Sequence, residues 1–197
     1  MIHATDTGGR PLSSLQIRTL CANCLLASQS TANLIGNLLH RFLSEPAFEH
    51  QLRAAHARIP AAVEESLRFD APVLFLFRTA KHDTELAGEK ILAGERVVMG
   101  ISSGNRDERV YERPDEFLIE RWPGADEHLT FGPGPHLCLG NQLARMEARV
   151  VMERVIERFP AGALALAPGY QRTNVPMFLE WGPERLELLI DAARTRA

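Results

Sequence analysis

The stretch Phe131-Gly132-Pro133-Gly134-Pro135-His136-Leu137-Cys138-Leu139-Gly140 is a glycine- and proline-rich loop that delivers one cysteine to the start of a helix. The helix follows because Asn141 to Phe159 places Leu143, Met146, Val150, Val151, Val155 and Ile156 on one apolar side. A thiolate at a helix N-terminus is favoured by the helix dipole and by unpaired backbone N–H groups, which temper its donation to a metal. Glycines let the backbone come close to a flat ligand where a side chain would collide. Phe131 is placed to cover the sulfur side, and His136 to reach a carboxylate at the rim of such a ligand.

Upstream lies Ala61-Ala62-Val63-Glu64-Glu65-Ser66-Leu67-Arg68-Phe69, where Pro60 sits as a first-turn proline of a helix spanning residues 60–69. Glu65 and Arg68 share one face three residues apart, a pair that on a solvated helix contributes only a few tenths of a kcal/mol, about 0.2–0.5. Residues 73–101 change character: VLFLF, KIL and RVVMGI are brief apolar or alternating runs parted by Ala87-Gly88 and Ala93-Gly94, read as strands and turns of a small antiparallel sheet. Residues 105–128 are rich in charge and proline without a period, an irregular but ordered loop. The tail, 163–190, reads as short strands broken by Pro168, Gly169, Gly182 and Pro183.

Ser13 and Ser14 cap a long helix over residues 14–43, ended by Ser44-Glu45-Pro46. At 1.5 Å per residue, some 30 residues make a rod of roughly 45 Å, enough to cross a domain. Its polar residues, Gln16, Arg18, Asn23, Ser28, Gln29, Asn33 and Asn37 among them, exclude a lipid-facing span and predict a helix buried in protein. Residues 1–12 read as a flexible lead-in without the pattern of a signal peptide or anchor. Cys21-x-x-Cys24 has no second ligand pair after it and is read as two small buried helix residues. His3, His40, His50, His56, His82 and His128 show no ligand spacing.

The chain has 197 residues, 45% hydrophobic and 24% charged, with a formal net charge of -3. That balance fits one globular domain and provides no basic field for nucleic acid. Three cysteines are too few and too irregular for a secreted disulfide scaffold, which points to the cytoplasm.

The Cys loop matches in full the pattern Phe-Gly-x-Gly-x-His-x-Cys-x-Gly, and on this motif the chain resembles the cytochrome P-450 family, most closely its soluble bacterial branch. The resemblance implies a mainly α fold with small antiparallel β-sheets: the C-terminal half of that family's domain, covering residues 13–197, from the long oxygen-side helix onward. It implies haem b (iron protoporphyrin IX) held by Cys138 as axial iron ligand, with His136 and Arg78 on haem propionates and Phe131, Gly132, Gly140 and Ala144 lining the cofactor. It makes Glu65-x-x-Arg68 and Arg121, in Phe117-Leu118-Ile119-Glu120-Arg121, a structural network that locks the loop beneath the haem. Arg106 in Asn105-Arg106-Asp107 is read as holding a turn or meeting a partner.

The same resemblance assigns LLASQSTANLIGN to the helix across the oxygen-binding face, where relatives carry a small residue, glycine, any residue, an acid and threonine. An ungapped register from Thr31-Ala32-Asn33 puts Ala27 at the glycine, Gln29 at the acid and Ser30 at the threonine. Serine still holds water, but glutamine neither takes up nor releases a proton. The implied reaction is monooxygenation of a small organic substrate by dioxygen, with electrons from a ferredoxin or flavodoxin docking where Arg145 and Arg149 meet acidic groups. The competing expectation is a catalytically inactive or degenerate haem-binding fragment, since the family's first half is not represented in this truncated span.

Overall fold

In the computed structural model, residues 4–124 and 127–195 are described. The described residues form five α-helices: α1 (Ser14–Ser44), α2 (Pro46–Ala54), α3 (Ile59–Phe69), α4 (Ile101–Gly104) and α5 (Asn141–Arg158). Six short strands pair as antiparallel ribbons: β1 (Phe75–Thr79) with β4 (Arg96–Gly100), β2 (Thr84–Leu86) with β3 (Glu89–Ile91), and β5 (Leu164–Leu166) with β6 (Leu188–Ile190). The fold is mainly helical with small antiparallel sheets.

Local chemistry explains the boundaries. Ser13 Oγ accepts from the Gln16 N–H at 3.2 Å while Gln16 Oε1 accepts from the Ser13 N–H at 2.8 Å, a reciprocal cap on α1. Glu45 before Pro46 is extended, at φ -118 and ψ 94, because a proline disfavours helical backbone in the residue preceding it. The β2–β3 turn falls on Ala87 and Gly88, both at positive φ, and Gly94 turns the chain into β4.

The lead-in is more ordered than its composition predicts. Thr5 and Pro11 form an antiparallel bridge, with Asp6 N–H on the Arg10 carbonyl at 2.9 Å and Leu12 N–H on that of Ala4 at 3.0 Å. Asp6 Oδ1 closes this turn by accepting from the Gly8 and Arg10 N–H groups, which the short side chain of an aspartate allows. Residues 1–3 lie outside the described residues.

The core is built on α3, whose Ile59, Ala62, Val63 and Leu67 pack with Leu34, Leu38 and Phe42 of α1, Leu52 of α2, and Ala148 and Met152 of α5. The expectation that all of α1 is buried is corrected here. Only from Asn33 onward do residues disappear from solvent, whereas Leu15, Leu25 and Leu26 are 66, 76 and 75% exposed. Cys21 and Cys24 are likewise free and exposed, not buried. The reason is packing: α3, α5, β5 and the segment around Gly182 reach only the second half of the helix. No described helix is long and apolar enough to cross a membrane.

This division predicts a contrast. Leu38→Ala, at a fully buried site, should cost about 2–5 kcal/mol in urea-unfolding free energy. Leu25→Ala, three-quarters exposed on the same helix, should stay within about 0.5 kcal/mol of the parent.

Candidate functional site

Glu65 and Arg68 are both completely buried, one turn apart on α3. Arg68 uses all five of its donors: Nε and Nη2 on the Glu65 carboxylate at 2.9 and 2.7 Å, and the remaining hydrogens on the carbonyls of Asn105, Pro114 and Glu116. Glu65 also accepts from the Leu118 backbone at 2.8 Å, the Trp122 indole at 3.0 Å and Arg121 Nε at 3.4 Å. Arg121 in turn holds the Glu112 carbonyl at 2.8 Å. Burial alone raises the Glu65 carboxyl pKa, but the Arg68 bond and the Leu118 N–H outweigh it and bring the group below its ordinary value. These contacts fasten residues 105–122, which have little regular structure of their own, to α3.

Asn105 carries the fastening on to the Cys loop. It is fully buried at the end of α4; its Nδ2 donates to Thr130 Oγ1 at 2.9 Å and its Oδ1 accepts from the Leu129 N–H at 2.7 Å. Thr130 Oγ1 donates to the Leu67 carbonyl at 2.6 Å, returning the connection to α3. Arg106 holds a turn, with Nη2 on the Phe69 carbonyl at 2.9 Å and its guanidinium over the Phe69 ring.

The loop itself is shaped by glycine. Gly132 and Gly134 have φ of +72 and +77, and a Cβ on Gly132 would lie 3.4 Å from Leu76 Cδ1 on β1. Cys138 donates its N–H to the Phe131 carbonyl at 2.9 Å, pinching the loop shut. Its carbonyl accepts from Asn141 Nδ2 at 2.7 Å, and its sulfur-bearing side chain is exposed two residues before the cap of α5. A Cβ on Gly140 would stand 3.9 Å from Sγ, and Ala144 N–H makes the first bond of α5 to the Gly140 carbonyl. His136 is exposed in the short turn Gly134–His136. Arg78 lies two residues beyond Leu76, so both side chains leave the same face of β1, the face that meets Gly132. Among the described residues the Arg78 guanidinium makes one hydrogen bond, to the Phe77 carbonyl at 2.8 Å.

Gln29 and Ser30, the residues expected on the oxygen side, stand apart from this assembly. Gln29 is exposed, while Ser30 is half-buried at the edge of the packed part of α1 and donates to the Ala27 carbonyl at 3.0 Å. No described contact joins either to the Cys loop.

Sequence reasoning missed a second carboxylate network. Glu64, next to Glu65, binds Arg145 of α5 through two parallel bonds, Nε–Oε1 at 2.6 Å and Nη2–Oε2 at 3.0 Å. Its Oε2 also meets His128 Nε2 at 3.1 Å, and His128 Nδ1 accepts from the Thr130 N–H at 3.3 Å, so the Nε2–H tautomer serves both bonds. Burial pushes the Glu64 carboxyl up, yet the His128 and Arg145 bonds bring it down to about 2. Arg145 is thus engaged within the chain, which corrects the expectation that it stands free to meet a partner. Arg149 is half-exposed, with Glu153 at 4.0 Å. The only sequence signal for Glu64 was the doubled glutamate; its partner lies 81 positions away.

Comparisons with known proteins agree with this arrangement. The family model Cytochrome P450 matches residues 4–165. Over 161 residues the chain is 40% identical to the Putative cytochrome P450 YjiB of Bacillus subtilis, covering 81% of this chain and 40% of that protein. Over 107 residues it is 46% identical to the Steroid C26-monooxygenase of Mycolicibacterium smegmatis, covering 54% and 26%. The crystal structure of substrate-free CYP109E1 from Bacillus megaterium superposes with a TM-score of 0.87 at 32% identity, covering 95% of this chain and 48% of that one. The hydroxylase HmtN, involved in himastatin biosynthesis, gives a TM-score of 0.87 at 35% identity over 95% and 50%. A cysteine loop braced by a buried Glu–Arg network, on a helical domain with small sheets, defines the class, and the chain belongs to the cytochrome P450 family. It spans about two fifths of the length of the first of these curated relatives and about half of the solved structures.

Two outcomes follow from the networks. Glu65→Gln leaves Arg68 buried without its anion and should cost about 3–5 kcal/mol in chemical unfolding. Glu64 has a folded pKa of about 2 against an ordinary 4.5, so its stabilisation is complete above about pH 4.5 and is lost as pH falls toward 2. Unfolding free energies measured across that window should therefore fall less steeply for Glu64→Gln than for the parent.

Proposed function

We propose that this chain forms the haem-thiolate part of a monooxygenase that inserts one oxygen atom from dioxygen into a small organic substrate, with electrons from a ferredoxin or flavodoxin-type donor. The observation that carries the reading is Cys138: an exposed cysteine on a loop tied, through Asn105 and Thr130, to the helix that carries the buried Glu65–Arg68 pair. The residues present fit haem b. The Cys138 thiolate would be the soft donor to its iron, glycine at 132 and 140 keeps side chains clear, and Arg78 and His136 are exposed cationic or donor groups suited to its propionates. Bound haem would supply the activation of dioxygen and the transfer of one oxygen atom to the substrate.

The chain's own residues do the rest. Phe131, half-buried against the core, shields one side of the loop, while Gly132 and Ala144 shape its floor and the first turn beyond it. Ser30 Oγ holds water on the oxygen side once its bond to the Ala27 carbonyl is exchanged, and Gln29 orients water without donating a titratable proton. The three free cysteines fit a reducing cytoplasm.

A second reading, a haem-binding chain without turnover, is favoured by Gln29 at the position of the acid. In the haem-loaded, reduced protein with carbon monoxide, the strongly red-shifted Soret band of thiolate ligation should appear and should vanish in Cys138→Ala. Its absence from the parent, or its survival in the variant, would refute Cys138 as ligand. Product formation with a ferredoxin and its reductase then separates the two readings.

A further inference from the structure

The Glu64–Arg145 pair lies outside the Cys loop, yet two arms from Arg145 end on the peptide groups of Cys138. Along one arm, Arg145 Nη1 donates to Asn141 Oδ1 at 3.0 Å and Asn141 Nδ2 donates to the Cys138 carbonyl at 2.7 Å. Along the other, the Arg145 guanidinium sits 4.5 Å from the centre of the Phe131 ring, and the Phe131 carbonyl accepts the Cys138 N–H at 2.9 Å. His128, bonded to Glu64, packs against the same ring at 5.6 Å. The pair therefore grips the cysteine from its N–H side and its carbonyl side at once.

We propose that Arg145, paired with Glu64, is a positioning residue for the Cys138 thiolate: it fixes the sulfur's backbone from both sides, and the neutrality of the pair sets the field at the sulfur. This rests on the haem-thiolate reading. Arg145 is four-fifths buried at its side chain, and all of its near partners are internal. A cation serving mainly to attract a partner protein would instead project as Arg149 does, at 47% exposed. Because the pair sums to zero, removing either member leaves one uncompensated charge behind the loop, of opposite sign in the two cases. A negative charge stabilises the oxidised metal and a positive charge the reduced one, in a region too buried for full screening.

The test measures the reduction potential of the haem-loaded chain together with amide exchange at Cys138. Arg145→Gln should move the potential negative, Glu64→Gln should move it positive, and the double variant should return near the parent, each keeping the thiolate carbon monoxide band. Arg145→Lys keeps the charge but not the geometry: its potential should stay near the parent, while exchange at the Cys138 amide accelerates by about tenfold, the equivalent of one lost hydrogen bond. Asn141→Ala should accelerate that exchange likewise. Shifts of the same sign in both single glutamine variants would mean that loosening, not charge, is felt at the sulfur, and would overturn the proposal. Unchanged exchange in both Arg145→Lys and Asn141→Ala would overturn it as well. Exchange is followed with and without haem, so a parent lacking the thiolate band would defeat the haem reading while the strut is still judged by exchange.

Discussion

One buried ion pair governs the rest of the chain. Glu65 and Arg68 have left water completely, at a desolvation cost that attraction between the two charges offsets only if every remaining lone pair and hydrogen is used. They are used, and the partners are what give the pair its meaning. Arg68 collects three carbonyls, and Glu65 collects a backbone N–H, an indole and a second guanidinium, all from the irregular segment between α4 and the Cys loop. A well-packed apolar pair would be as stable, but it would not tell a loop without secondary structure where to go. Directional bonds to its backbone do.

The adjacent Glu64 extends the same logic to a second side. Successive positions on a helix point about 100° apart, so α3 presents one carboxylate to the irregular segment and the next to α5 and the Cys loop. Asn105 and Thr130 tie the two sides together through the Leu67 carbonyl on that helix. The cysteine is thereby placed by a helix more than seventy residues earlier in the chain and not by its own loop alone.

The parts of this that were legible in the sequence are those whose chemistry is written within a few residues. The Cys loop announces itself through closely spaced Gly and Pro, and the helices through apolar spacing and caps such as Ser13. Contacts made by a side chain to distant backbone carbonyls leave no such trace, which is why the reach of Arg68 to Asn105, Pro114 and Glu116 and the pairing of Glu64 with Arg145 emerged only in three dimensions. The burial of α1 was misjudged for a related reason. Periodicity says which face of a helix is apolar, whereas exposure depends on what packs against that face, and the neighbours of α1 begin only near Asn33.

Where they begin matters for Ser30. A Cβ on Gly182 would fall 2.6 Å from the Asn33 side chain, and one on Gly36 would fall 2.8 Å from the Pro183 ring, so within one turn each segment lays a bare glycine backbone against the other's side chain. Asn33 Nδ2 reaches Glu180 at 2.9 Å and Asn37 Nδ2 the Trp181 carbonyl at 3.1 Å, adding direction to that close fit. The contact works as a key in a slot: it permits one rotation of α1 about its axis. The azimuth of Ser30, a single turn away, is thus set by four residues about 150 positions later. An attempt to turn Ser30 to a new direction by substitution within α1 alone would be working against a clamp that the helix does not itself contain.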